Sequence, residues 1–258
     1  MTYSMLIMIR FFLFLLLITL SPLGNAQSTP EHTEGDYNVQ GSLRYFIKKN
    51  KWTGMFEYDH KAYHEDIRTN GVKVGGRYRF LPTTKLGIFL KRIYGERHDD
   101  DWVLRNSTWQ WQDSLDRGET ILSIEYSYRR YLDWVIEHNW TGGIRVTYEY
   151  NFFNQKRTLI LKPEVNYYIF EEGKPLYNFF LQTAPEISES MSISRISSSL
   201  GCLYYVDHQF QIGGYLSAGW SNWNTSSEYI QQFPGTEYHK QLTSMSMGLM
   251  LTINTHLF

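Results

Sequence analysis

In several short runs of this 258-residue chain, ionisable side chains fall at every second position. Lys73, Arg77 and Arg79 alternate with Val72, Val74, Tyr78 and Phe80. Glu125 and Arg129 alternate with Ile124, Tyr126 and Tyr128, and Arg145 and Glu149 with Ile144, Val146 and Tyr148. Lys162 and Glu164 alternate with Leu161, Val165 and Tyr167. Charges of both signs sharing one face have two uses. They can pair with each other, or they can line a passage whose ion preference follows the prevailing sign. The local excess of Arg and Lys favours anions. These nine ionisable residues are the candidate site.

Other chemistry is thinner. Glu96, His98, Asp99, Asp100 and Asp101 offer oxygen ligands that a calcium ion could use, but read first as a solvated acidic loop. His138 or His239 beside a serine could form a hydrolytic pair on a barrel rim. The remaining histidines, such as His60, His64 and His208, are scattered. No HExxH, GxSxG, phosphate loop or metal-spaced cysteine set occurs. The expectation is therefore no catalytic residue, no metal, no cofactor and no enzymatic activity.

Period-two alternation is the signature of a strand with one polar and one apolar face. Further runs carry it, among them the last, where Met245, Met247, Leu249, Leu251, Ile253 and Leu257 oppose Ser246, Gly248, Thr252, Asn254 and His256. Weaker candidates lie near residues 39–48, 53–62, 84–95, 102–112, 176–186, 192–206 and 210–220. Proline or glycine marks turns at Leu81-Pro82-Thr83-Thr84, Asp116-Arg117-Gly118 and Glu172-Gly173-Lys174-Pro175. Longer polar segments occupy 95–101 and 221–240. No run predicts an amphipathic helix, although 131–140 could form a helical turn or a loop.

The fold class expected is all-β, a single antiparallel transmembrane β-barrel of ten to twelve strands. Twelve is preferred because bacterial barrels usually have an even number. Reaching twelve requires 102–112 to be a barrel strand; treating it as part of a large outer loop leaves eleven.

The first residues read as an export signal. Arg10 precedes the apolar run FFLFLLLITL, and Gly24, Asn25 and Ala26 supply small residues for cleavage after Ala26. The expected organisation is a signal peptide over 1–26, a polar leader over 27–36 and the barrel over 37–258. The apolar run is short for a spanning helix of ~20 residues. Net charge is only -1, which argues against a nucleic-acid partner. Cys202 is the sole cysteine, so no internal disulfide can form.

Twenty Tyr, 15 Phe and 8 Trp crowd the strand ends and turns. Trp109, Trp111, Tyr131, Trp134, Trp140, Phe152, Phe153, Tyr177, Phe179, Trp220 and Trp223 suit a belt at a lipid headgroup region. The ending LMLTINTHLF resembles the C-terminal strand of Gram-negative outer-membrane β-barrel proteins, with Phe258 one residue out of phase with Leu257. The stretches YEYNFFNQKRTLILK and KPLYNFFLQ, and residues 37–258 generally, are similar to small, mostly uncharacterised members of that superfamily.

The resemblance implies location in the bacterial outer membrane. Outer-membrane lipid, lipopolysaccharide and the barrel assembly machinery would then be partners. The function expected is a narrow channel for small, anionic solutes. The alternative is a closed structural, adhesion or recognition barrel acting through its outer loops. A lipid-modifying barrel enzyme and a soluble periplasmic β-protein are lesser alternatives.

Overall fold

Alternating side chains leave each strand's backbone groups free to pair on both edges, and in this chain the pairing closes on itself. The computed structural model describes residues 36–63, 68–95, 101–105, 108–112, 118–132, 139–153, 155–189, 192–224, 227–235 and 239–257. The strands are β1 (Asp36–Lys49), β2 (Trp52–Tyr63), β3 (Arg68–Leu81), β4 (Thr84–Gly95), β5 (Asp101–Arg105), β6 (Thr108–Gln112) and β7 (Glu119–Tyr131). There follow β8 (Trp140–Asn151), β9 (Arg157–Glu171), β10 (Lys174–Ser188), β11 (Ile193–Tyr205), β12 (Phe210–Asn224), the short helix α1 (Ser227–Gln232) and β13 (His239–His256). The signal and leader expected over 1–26 and 27–36 lie outside the described residues, except that Asp36 already begins β1.

Eleven strands form one closed barrel, in the order β1-β13-β12-β11-β10-β9-β8-β7-β4-β3-β2. This falls within the expected ten to twelve but one short of the preferred twelve. The difference lies at 102–112, where β5 and β6 pair only with each other as a separate two-stranded sheet. The odd number has a geometric consequence. In an up-and-down barrel each strand reverses the last, so an eleventh strand runs in the same direction as the first. Closure must then be parallel, and β1 pairs parallel with β13 from Asp36↔Ser244 to Lys48↔His256. The barrel is antiparallel everywhere except at this seam.

The tightest links, 50–51, 82–83 and 172–173, lie at one end of the barrel, the turn end, together with 132–139 and 206–209, and β13 finishes there. At 172–173 both Glu172 and Gly173 have positive φ, 50° and 76°, as the tight turn favoured by twisted hairpins requires. Segments 96–118 and 225–238 join strands at the opposite end, where β1 begins. The turns expected at Leu81–Thr84 and Val206–Gln209 thus share an end. Within the β9–β10 ladder the register skips Thr183, Ala184 and Pro185, opposite Leu161–Pro163. Proline at both sites removes N–H donors from this stretch.

Candidate functional site

The pleat sends odd-numbered residues of β3, β4, β7 and β8 to one face and even-numbered residues to the other. The face carrying the ionisable groups is the lumen. Lys73, Arg77 and Arg79 leave β3 on this face, Glu125 and Arg129 leave β7, Arg145 and Glu149 leave β8, and Lys162 and Glu164 leave β9. Register fixes the assignment, because Arg145 lies opposite Lys162 and Glu125 opposite Thr147.

Several of these groups meet. Arg77 Nε donates to Glu125 Oε1 at 2.7 Å and its Nη2 to Oε2 at 3.3 Å, a two-point ion pair. Arg129 Nε donates to Glu164 Oε1 at 2.9 Å, and its Nη2 binds the same oxygen. Arg145 lies between these pairs, 3.8 Å from Glu125 Oε1 and 3.8 Å from Glu164 Oε2. Glu149 accepts a hydrogen bond from Ser123 Oγ at 3.1 Å. Arg79 has no ion pair among the described residues, and it is exposed near the turn end.

Three further lumen pairs involve residues outside the candidate set. Arg44 Nε donates to Glu57 Oε1 at 3.0 Å. Lys91 Nζ lies 3.6 Å from Asp59 Oδ1. Tyr215 Oη donates to Gln40 Oε1 at 2.7 Å. Glu57 and Asp59 already stand among alternating charges in the 53–62 run, whereas Gln40, Arg44, Lys91 and Tyr215 could be found only by parity within β1, β4 and β12, which alternate weakly.

Four of these contacts share one construction. Each long side chain crosses an intervening strand to a partner two strands away, and a glycine lies beneath the crossing. In register, Arg77 faces Gly87, which faces Glu125. Arg129 faces Gly143, which faces Glu164. Tyr215 faces Gly248, which faces Gln40 across the parallel seam. Asp59 faces Gly71 and reaches Lys91 over it. A Cβ on Gly248 would come within 2.2 Å of the Tyr215 ring, and one on Gly71 within 2.5 Å of the Asp59 carboxylate. Small barrels fill their interiors by setting large residues against small ones.

Part of the lumen face is packed. Phe89, from β4, is 1% exposed and lies over Gly75 and Gly87. Lys73 Nζ stands 4.6 Å from the centre of its ring and the Arg77 guanidinium carbon 5.0 Å, both within cation–π range. Ser123 and Glu125 are 0% and 2% exposed, and Met55 and Met250 are buried from other strands. Phe89 escaped the sequence reading because it lies within LGIFL, residues 86–90, where apolar side chains fall on both faces.

The outward face is the reverse. Its exposed side chains are large and apolar, such as Leu216 at 63% and Leu249 at 68%, while most of the buried residues are polar. Around the turn end this apolar band meets a row of outward aromatics. Trp52 and Tyr78 lie 4.8 Å apart, Trp140 and Tyr167 4.7 Å, and Tyr177 and Tyr204 5.2 Å. Tyr37, Tyr94 and Trp220 stand outward nearer the other end. Of the aromatics expected to form a belt, Tyr131, Phe152, Phe153 and Phe179 are exposed. The side chains of Trp109, Trp111 and Trp223, and all of Trp134, lie outside the described residues.

Among the described residues no group of three or more His, Cys, Asp or Glu is placed to hold a metal ion. The 96–100 acidic segment and His138 lie outside the described residues, as does the side chain of His239. No protein-family model matches the chain, and no curated protein or solved structure shows significant similarity to it.

Proposed function

We propose that this chain is an outer-membrane β-barrel protein, closed at its waist, that works through its ends and loops rather than by conducting solutes. The observation carrying this reading is the inside-out distribution of side chains. Large apolar residues are exposed around the barrel wall, and Glu125, Asn166, Thr147 and Ser123 are buried within it. Soluble proteins rarely expose a continuous apolar patch of this extent. In a bilayer the same surface is matched to lipid, and barrel closure satisfies every strand edge.

Dimensions agree. Trp140 and Tyr150 are ten residues apart on the outward face of β8. At ~3.4 Å per residue and a tilt of ~40°, they stand roughly 26 Å apart along the barrel axis. That is close to the apolar height of ~25 Å found in outer-membrane barrels.

Waist closure rests on Phe89 and the Arg77–Glu125–Arg145–Glu164–Arg129 array. The side chains of Arg44, Arg129 and Arg145 retain 37%, 48% and 30% exposure, so water reaches the lumen beside the packed waist. This favours a narrow anion-preferring channel as the second reading. The proposed barrel is non-enzymatic and needs no cofactor.

A nitroxide placed at Leu216 in a Cys202→Ser background tests the membrane reading. In reconstituted vesicles the label should collide readily with oxygen and poorly with a polar nickel chelate. Equal or greater access of the chelate would sink it.

A further inference from the structure

We infer that the lumen contains a binding site for a small polyatomic oxyanion, of the phosphate or carboxylate class, centred on Lys162 and Arg145. The inference does not depend on where the barrel resides.

Arg145 and Lys162 are direct cross-strand neighbours of β8 and β9, and both side chains enter the lumen. Directly opposed like charges on one sheet face have Cβ atoms about 5 Å apart and repel. An opposite charge nearby would relieve this repulsion, but the carboxylates at hand are committed elsewhere. Glu125 holds Arg77 through two hydrogen bonds, and Glu164 holds Arg129. Arg145 shares these two carboxylates only at 3.8 Å. Its Nε is shielded from solvent and has no hydrogen-bond acceptor.

Lys162 is less well supplied. Among the described residues its ammonium has no ion-pair or hydrogen-bond partner. The charged groups around it include the cations Arg145, Lys73 and Arg44 and the carboxylate of Glu57. Glu57 is itself paired with Arg44. Lys73 has a like charge, Lys91, opposite it on one side in register and the carboxylate of Glu57 on the other. Lys162 is half-buried and the Arg145 side chain is 30% exposed, so both groups are partly open to the lumen although Arg145 Nε itself is shielded. An oxyanion accepting from Lys162 and Arg145 would neutralise the excess charge and occupy their free donors.

The mature protein, refolded in non-ionic detergent micelles, is titrated with sodium phosphate and, separately, sodium succinate. Sodium chloride holds ionic strength constant, and the thermal unfolding midpoint is read. With the wild-type protein, at least one of the two oxyanions should give a saturating rise. At a hundredfold excess over its dissociation constant the rise should be roughly 5–10 °C. Which of the two saturates at the lower concentration separates a phosphate site from a carboxylate site. Lys162→Met should abolish the rise, and Lys73→Met should weaken it. A wild-type midpoint that depends on ionic strength alone overturns the inference, and that arm stands even where a variant fails to refold. A full response retained by Lys162→Met also overturns it.

Discussion

Arg77 on β3 donates to Glu125 on β7 directly above Gly87, the residue of β4 that lies between them in register. A side chain at position 87 would obstruct that path, since a Cβ there would come within 2.9 Å of Arg77 Cγ and 2.7 Å of Phe89 Cε2. The same arrangement at Gly143, Gly71 and Gly248 ties strands that are not neighbours. At Gly248 it ties β12 to β1 across the parallel seam.

Glycine substitutions should therefore divide by face. Gly248→Ala forces the Tyr215 ring aside and should cost about 1–3 kcal/mol, as overpacked cores do. Gly41→Ala, on the outward face of β1 with nothing within 4 Å of the new methyl, should be neutral or slightly stabilising. Urea unfolding of the refolded variants measures both. Equal losses at the two positions would contradict the role given to Gly248.

Glu125 is 2% exposed and serves both Arg77 and Arg145. Glu125→Gln leaves two guanidinium groups without their shared carboxylate. The expected loss is roughly 3–5 kcal/mol in unfolding free energy, the range for breaking a buried pair by removing one partner. Arg157→Gln removes a 3.9 Å contact to Glu189 between two exposed side chains and should change stability by under ~1 kcal/mol.

Charge placed on the outward face should cost according to depth. Leu216→Arg, within the apolar band, should lose about 2–4 kcal/mol in a bilayer, while Tyr37→Arg, near the strand end, should lose about 0–1 kcal/mol. Refolding equilibria in lipid vesicles supply the comparison. The gradient should disappear if the outward face meets water instead of lipid.

Closure of the waist predicts electrical silence. The folded wild-type barrel should give no reproducible conductance steps in a planar bilayer. Phe89→Ala, which removes the ring beneath Lys73 and Arg77, should introduce them and cost about 3–5 kcal/mol. Discrete steps from the wild-type protein, with selectivity altered by replacing Arg77, Arg79 or Arg145, would favour the channel instead.

Asp207, in the 206–209 turn, accepts the amide N–H groups of Phe210 at 2.7 Å and Gln209 at 2.6 Å. These bonds hold its carboxyl below the ordinary carboxylate range. The folded turn favours the ionised form. Its contribution is complete above the unfolded pKa and is lost as pH falls through the lower folded value. The protection factor of the Phe210 amide, its exchange rate corrected for the intrinsic effect of pH, should fall in that acid range, and Asp207→Asn should remove the acid-dependent step.

The class of fold was legible because alternation is a local property. Val72 to Phe80 and Ile144 to Tyr150 each display their two faces without reference to any neighbour. Strand number was harder, because whether 102–112 joins the barrel depends on which edges it meets, and the run itself alternates as a strand should. The lumen candidates were legible as a set, but their partners were not. Arg77 finds Glu125 only because Gly87 comes between them in register, and register is a property of three strands together. Phe89 was hidden for a related reason, since an inward aromatic in an apolar run has no local mark.

The most direct measurement is fractionation of cells expressing the full chain, residues 1–258, with inner and outer membranes separated and the outer fraction extracted with alkaline carbonate. The expected result is a folded, heat-modifiable band retained in the extracted outer membrane. Recovery of the folded protein in the soluble periplasmic fraction would contradict the reading of its apolar wall as a lipid-facing surface.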